Sequence, residues 1–254
     1  MLRRSLLTVT LILLAAPSWA QFVAPGGTIP VVANLSGKKG TFWRSDVQIL
    51  NPGDTPTSIV MQLYPEIVNG TPSFEPRVSD SIPIAAGGQL VLTNILQSKF
   101  GLINVKGALM IYSTDGTPLV LASRTYTNGP SGTYGQDVSS ILVAGSAWVA
   151  GIENDSAYRT NLGIFWPWDE PVQFTVNIYT LDGQPAGSGQ ITFTEAGLQQ
   201  MGLDAFGVGV LPAGYIVITC SDAQVLWYAY GTTVDQQSGD AVYRPARGYQ
   251  VSGQ

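Results

Sequence analysis

The chain has 254 residues, enough for one large domain or two of ordinary size, and only 11% of them are charged. It has no histidine and a single cysteine, which excludes a Ser-His-Asp triad, histidine-ligated metals, an intramolecular disulfide and a thiolate metal cluster. The formal net charge is −5 and the hydrophobic fraction is 45%, a composition that can bury a core and excludes intrinsic disorder.

The first twenty residues have the pattern of a secretory signal peptide. Arg3 and Arg4 precede an apolar stretch, Leu6 to Ala16, that is too short to span a bilayer. Small residues then lead to a cleavage site after Ala20. We therefore expect a secreted, periplasmic or cell-surface protein.

The mature chain would be acidic, with ten basic residues against 17 acidic ones and no basic cluster. A nucleic-acid partner requires clustered Lys and Arg to release counterions from phosphates, and an anionic membrane surface attracts the same kind of cluster. No apolar run in the mature chain approaches the roughly 20 residues of a transmembrane helix. We expect no nucleic-acid partner and no membrane insertion after signal cleavage.

A segment near the start of the mature chain recurs 115 residues later. Residues 44–52, RSDVQILNP, align with residues 159–167, RTNLGIFWP, and the same shift places Pro56 on Pro171 and Tyr64 on Tyr179. Further along, residues 107–111, GALMI, match residues 214–218, GYIVI. Prolines, an arginine and a tyrosine kept at fixed spacing through alternating apolar positions indicate an internal duplication.

Each copy has the periodicity of β-strands. Apolar residues such as Val47 and Ile49 alternate with polar ones, and residues 51–54, NPGD, predict a turn that joins two strands as a hairpin or an arch. Only residues 93–100 and 198–206 have a possible helical pattern. We predict an all-β chain of two tandem, homologous β-sandwich domains, immunoglobulin-like as the first choice and jelly-roll as the second.

The predicted organisation is a signal peptide over residues 1–20, a first β-sandwich module over 21–135 and a second over 136–254. The boundary is placed within residues 127–140, where the run NGPSGT is typical of a loop. Each module then has the size of an ordinary domain.

Several runs in the first copy resemble a known kind of module. They are Trp43-Arg44-Ser45-Asp46, the following Ile49 to Asp54, Ser123-Arg124-Thr125-Tyr126, and Gly132 to Gln136. With them the chain resembles uncharacterised exported bacterial proteins that carry tandem immunoglobulin-like β-sandwich modules. The second copy departs from the pattern, since Gly53-Asp54 becomes Trp168-Asp169. The resemblance implies a fold and an extracytoplasmic location, and no reaction.

Arg44 and Arg159 are equivalent residues at the start of a strand. A guanidinium offers a planar fork of donors that suits a carboxylate or a sugar. The alternative is a structural role, in which each arginine pairs with a nearby acidic or amide side chain or bonds loop carbonyls. Presence in both copies favours the structural role.

Trp166 and Trp168 are the candidate ligand-binding residues. They lie where the first copy has its Asn-Pro-Gly-Asp turn, so the fold itself does not require indoles there. Exposed aromatic side chains in a loop suit stacking on a sugar or contact with a protein. We predict that at least one of the pair is substantially exposed and contributes to binding; the alternative is that they pack as core residues.

The acidic residues form no recognisable metal site. Residues 153–155, END, offer oxygen ligands just before Arg159, and Asp235 and Asp240 lie in the last loops. Extracellular β-sandwiches bind calcium through such loop oxygens, but no spaced ligand series accompanies these residues, so solvated acidic turns are favoured. Cys220 aligns with Ser113 in a strand and is expected to be a buried, inert thiol. We assign no catalytic residue, no metal ligand and no cofactor.

The expected function is that of a secreted, non-enzymatic binding or structural protein that recognises a glycan or a surface protein outside the cytoplasm. The alternative is a secreted glycoside hydrolase that uses two carboxylates. A hydrolase of that kind requires a groove with two facing carboxyl groups about 5 to 10 Å apart, which distinguishes it from a binding module.

Overall fold

The computed structural model describes residues 24–129, 132–139 and 141–248. The predicted signal peptide, residues 1–20, lies outside this range. The described chain is all-β, as predicted. None of its helices is long and apolar enough to cross a membrane.

The first half of the chain, up to residue 139, consists mainly of strands. They are β1 Gly26–Ser36, β2 Phe42–Leu50, β3 Thr57–Pro65, β4 Ile67–Val68, β5 Thr71–Pro72, β6 Arg77–Val78, β7 Ile82–Ile84, β8 Gln89–Leu92, β9 Val105–Ser113, β10 Val120–Gly129 and β11 Gly132–Asp137. A 3-10 turn, Lys38–Gly40, follows β1, and a short helix, α1 Ile95–Phe100, follows β8.

The second half, from residue 141, has the same character. Its strands are β12 Leu142–Ala144, β13 Ser146–Asn154, β14 Tyr158–Trp166, β15 Val172–Thr180, β16 Pro185–Phe193, β17 Gly197–Gly202, β18 Leu211–Cys220, β19 Leu226–Asp235, β20 Ala241–Pro245 and β21 Arg247–Gly248. A 3-10 helix, Leu203–Phe206, lies between β17 and β18.

The long strands form antiparallel sheets that pack as β-sandwich layers. In the second half, one sheet has the order β12-β19-β14-β17, with β20 also on β19, and the other has the order β16-β15-β18-β13-β21. In the first half the corresponding layers are joined into a single nine-stranded sheet. They are joined because β1 pairs with β2 over residues 34–36 as well as with β9.

The strand pairing of the first half recurs in the second. β2 pairs with β8 and β10, as β14 pairs with β17 and β19. β9 lies between β1 and β3, as β18 lies between β13 and β15. The repeated segments, residues 44–64 and 159–179, thus lie in β2–β3 and β14–β15, which have equivalent partners.

The turns differ in the kind of connection they make. Residues 51–54 connect β2 to β3, but these strands pair with other strands and not with each other, so the connection is an arch. The Asp182-Gly183 turn closes a hairpin between β15 and β16, with Gly183 at φ +80°. Residues 198–206 are strand β17 followed by a 3-10 turn, so the helical pattern there applies only to the last few residues.

The predicted boundary between residues 135 and 136 falls inside a strand. β11 spans Gly132–Asp137 and forms a hairpin with β10, with Gly129 opposite Gly132. Within the run NGPSGT, Asn128 and Gly129 end β10, and Gly132 and Thr133 begin β11, so these four residues belong to the nine-stranded sheet. The connection between the halves comes after this hairpin, beyond residue 137.

Alternation along β14 explains how the two halves join. Ile164 faces the core between the two sheets of the second half, and Phe165, the next residue, faces the other way. Phe165 belongs to the apolar cluster of the first half, with Leu198, Tyr228 and Tyr230. Its ring centroid lies 5.2 Å from that of Tyr64. One sheet of the second half is thus buried on both faces.

Candidate ligand-binding site at the junction of the halves

Trp166 is a core side chain. Its relative exposure is 2%, and its ring packs edge-on against Phe174 at a centroid distance of 6.0 Å. Its Nε1 donates a hydrogen bond of 2.8 Å to the main-chain oxygen of Glu170. A ligand cannot stack on a ring that is covered in this way, so the structure corrects the interpretation of Trp166 as a ligand-binding residue.

The first copy shows why an indole is placed here. Asn51, the equivalent of Trp166, is also buried, and its Nδ2 donates a 2.8 Å hydrogen bond to the main-chain oxygen of Thr55. In both copies, a side-chain N–H at the end of the strand satisfies the carbonyl four residues later. An unsatisfied carbonyl in this position would be costly. The arch requires a buried donor, and an amide or an indole can supply it.

Trp168 is the exposed member of the pair. Its relative exposure is 45%, and its Nε1 donates a 2.8 Å hydrogen bond to the main-chain oxygen of Leu226 on β19. The exposure expected for at least one of the two indoles is found at Trp168. Its contribution to binding stays a prediction.

Arg44 and Arg159 have different surroundings although they are equivalent in the repeat. Arg44 is opposite Tyr126 on β10, and its guanidinium carbon lies 5.5 Å from the centroid of that ring. Arg159 is opposite Val234 on β19, which offers no aromatic face. The half-buried side chain of Arg159 makes no hydrogen bond or ion pair with any described residue. A structural role therefore fits Arg44, and Arg159 is available to a ligand.

Arg159 lines a cavity between the two halves, which we call the junction cavity. Its volume is about 400 Å³. Its walls include β1, β2, β9, β10 and β11 of the first half and β14, β17, β19 and β20 of the second. Its lining includes Lys38, Trp43, Gln136, Arg159, Asn161 and Gln200. A volume of this size lies within the range of pockets that hold small molecules.

The polar side chains of the junction cavity have unused hydrogen-bonding capacity. The Oε1 atom of Gln136 is buried and has no partner. Within the described part of the chain, the side chains of Asn161 and Gln200 and the indole N–H of Trp43 also form no hydrogen bonds. Of these groups, Gln136 Oε1 is the buried one whose lack of a partner is unfavourable, while the others lie on partly exposed residues and are open to solvent or to a ligand.

The charge of the junction cavity is opposite to that of the chain as a whole. Among the described residues, the lining has three cations, Lys38, Lys106 and Arg159, and no carboxylate. Lys106 is balanced by Glu66, with 2.9 Å between Nζ and Oε1. Burial lowers the pKa of Arg159, but a guanidinium stays protonated at any physiological pH. The cavity is thus locally positive in a chain of net charge −5.

A narrower cleft of about 60 Å³ continues from the junction cavity and shares Lys38, Trp43 and Arg159 with it. Asp235 lines this cleft. Its Oδ1 accepts hydrogen bonds from the main-chain N–H groups of Gln237 and Ser238, at 2.6 and 3.0 Å. That carboxylate is therefore used to hold the β19–β20 turn.

Asp155 acts in the same way. Asp155 Oδ1 accepts from the backbone N–H groups of Ala157 and Tyr158, each at 2.7 Å. Among the described residues, no three acidic or cysteine side chains are grouped as a metal site would require. Cys220 is a free thiol, and its burial raises its pKa, as expected of an inert core cysteine.

Of the cavity residues, Arg159 was recognisable from the sequence through the repeat, and most of the others were not. Trp43 was used only as part of the run that carries the resemblance, although an aromatic residue beside a repeated arginine was a usable signal. Gln136 likewise entered only as the end of such a run, and Gln200 gave no signal, because these residues lie in strands that only the packing of the two halves brings together.

Neither a protein-family model, nor a curated protein, nor a solved structure matches this chain. The junction cavity is therefore interpreted from its own geometry and chemistry.

Proposed function

We propose that this chain is a secreted, non-enzymatic binding protein whose ligand occupies the junction cavity. The observation that carries the proposal is the meeting of a free arginine, a free indole N–H and unpaired amides around one space of about 400 Å³. In this proposal the halves are two tandem, homologous immunoglobulin-like modules of an exported bacterial type. Their repeated strand pairing supports this organisation.

The concave shape of the site favours a glycan over a protein as the ligand. Protein interfaces are broad, at roughly 800 Å² on each partner, whereas a cavity encloses a compact unit such as a sugar residue. Amide side chains both donate and accept hydrogen bonds, as a hydroxylated ring requires. The indole of Trp43 adds an apolar surface with a polar edge.

The lining favours binding over hydrolysis. A glycoside hydrolase of the two-carboxylate type places two carboxyl groups on either side of the scissile bond. The described lining of the junction cavity has no Asp or Glu, and Asp235 in the adjoining cleft is engaged by backbone N–H groups. The residues around the ligand could hold and orient it but offer no acid and base pair.

The test is a glycan-array screen of the secreted protein, followed by calorimetric titration of the bound sugars. We expect Trp43→Ala to weaken the binding of these sugars at least tenfold, because it removes a wall of the cavity. Trp168→Ala tests the competing site at the exposed indole, which does not line the junction cavity; if the ligand occupies the cavity, its affinity should stay within twofold. Thermal melting of both variants checks that they remain folded.

Three results would overturn the proposal. One is the absence of any bound sugar across the array. Another is loss of binding with Trp168→Ala but not with Trp43→Ala, which would place the site at the exposed indole. The third is the release of shorter saccharides from a bound oligosaccharide, which would support the hydrolase.

A further inference from the structure

We infer that the ligand of the junction cavity is an acidic sugar, a hexuronate or related sugar acid, whose carboxylate is bound by Arg159. The inference rests on the proposed function and names its ligand class. The structural basis is the position of one uncompensated guanidinium among amides and an indole.

The charge of the junction cavity is only partly balanced. Of the three cations in the described lining, Lys106 is neutralised by Glu66, whereas Lys38 and Arg159 have no carboxylate within 4.0 Å among the described residues; Lys38 is exposed and Arg159 is half-buried. Withdrawing a charge from water without a partner is unfavourable, so a half-buried free guanidinium favours an incoming anion. The guanidinium presents two parallel donors, which match the two oxygens of a carboxylate.

The two copies differ in the surroundings of this arginine. In the first copy, the guanidinium carbon of Arg44 lies over the ring of Tyr126, 5.5 Å from the ring centroid. In the second copy, Val234 is opposite the equivalent arginine and cannot engage it. Because Val234 replaces Tyr126 as the residue opposite the arginine, Arg159 has no aromatic partner there, and it lines the cavity. Arg44 does not line the cavity and contacts Tyr126.

The other lining groups favour one kind of anion. A phosphate or sulfate is held by several cations or backbone N–H groups, because its charge is spread over three or more oxygens. Here Arg159 is the half-buried cation and Lys38 is exposed to solvent. The other polar lining groups are the amides of Gln136, Asn161 and Gln200, which suit hydroxyl groups, and they lie beside the ring of Trp43. One carboxylate, several hydroxyls and an apolar ring face are the features of a sugar acid.

The experiment compares two ligands with the same sugar rings and hydroxyl groups but different charge. Digalacturonate is titrated against its methyl ester, in which a methyl group replaces each carboxylate charge, in the secreted protein and in Arg159→Gln, Arg44→Gln and Trp43→Ala. We expect the wild type to bind the acid at least tenfold more tightly than the ester, with the difference shrinking as salt is raised. Arg159→Gln should abolish this preference and keep the weak binding of the ester.

Arg44→Gln is the matched control, since it removes the equivalent arginine of the first copy, outside the cavity. It should keep the tenfold preference. Equal binding of acid and ester by the wild type, with both lost in Trp43→Ala, would overturn the acidic-sugar inference and leave the proposed function standing. Equal loss of preference in the two arginine variants would also overturn it. If neither digalacturonate nor its ester binds, the inference fails, and the array then tests the proposed function separately.

Discussion

Trp166 and Trp168 lie two residues apart but differ in burial and in what their N–H groups hold. Trp166 is part of the core of the second half, and its Nε1 donates a hydrogen bond to the main-chain oxygen of Glu170 in the arch. Trp168 donates a hydrogen bond from Nε1 to the main-chain oxygen of Leu226 on β19, and its relative exposure is 45%. The same residue type therefore has a structural role at one position and is available for contact at the other.

Substitution of the two indoles should affect stability unequally. Trp166→Ala should lower the free energy of unfolding by about 3–5 kcal/mol, because it removes a large buried side chain and leaves the carbonyl of Glu170 unpaired. Trp168→Ala should lower it by about 1 kcal/mol, the net value of one hydrogen bond. Urea denaturation of both variants measures the difference. Equal losses would contradict the assignment of Trp166 to the core.

At the scale of the strands, β14 and β19 fit together through a glycine and an aromatic ring. Gly163 on β14 is directly opposite Tyr230 on β19. A Cβ atom at residue 163 would lie 2.2 Å from Cζ of Tyr230, far closer than any non-bonded contact. The ring thus lies across the glycine, and it also stacks on Tyr243 with 5.2 Å between centroids. The packing of Tyr230 between the two halves therefore depends on glycine, which has no side chain, at residue 163.

Gly163→Ala should therefore destabilise the protein by about 1–3 kcal/mol through overpacking. In a Tyr230→Ala background, the added methyl group has space, so the second loss should be much smaller. Urea denaturation of the two single variants and the double variant measures this coupling. Gly209→Ala, where an added Cβ meets nothing within 4 Å, is the control and should change stability by less than about 0.5 kcal/mol. If the losses of unfolding free energy in Gly163→Ala and Tyr230→Ala simply add in the double variant, the steric conflict between an added methyl group and the Tyr230 ring is contradicted.

At the scale of the whole molecule, three tyrosines link stability to pH at the junction. Burial raises the pKa of Tyr228, Tyr230 and Tyr243. Each keeps its proton in the folded protein at a pH where the unfolded chain has lost it. The stability they provide is therefore fully present below the unfolded pKa of about 10 and is lost as the pH rises toward the folded values.

We expect the free energy of unfolding to fall steeply above about pH 10, by up to about 1.4 kcal/mol per pH unit for each tyrosine. Urea denaturation between pH 8 and pH 11.5 measures the slope. Tyr230→Phe removes one ionising hydroxyl, so it should reduce the pH slope of the unfolding free energy by up to about 1.4 kcal/mol per pH unit. A stability that stays flat to pH 11, or an unchanged slope in Tyr230→Phe, would show that these hydroxyls ionise freely in the folded protein.

The sequence by itself determined the all-β class and the repeat. Alternation of apolar residues depends only on the two faces of a strand, and the retained prolines, arginine and tyrosine are visible without any structure. The turn at residues 51–54 was also predictable, because Asn, Pro and Gly favour turns locally. Whether that turn made a hairpin or an arch was not, because the answer depends on which distant strands pair with β2 and β3.

The tertiary structure alone decided the site. Trp166 and Trp168 look alike in sequence, and only packing against Phe174 separates the core residue from the exposed one. Arg44 and Arg159 are equivalent in the repeat, yet the residue opposite each, Tyr126 or Val234, comes from a strand far along the chain. The junction cavity exists only because one sheet of the second half docks on the first, and such long-range contacts leave no local pattern in the sequence.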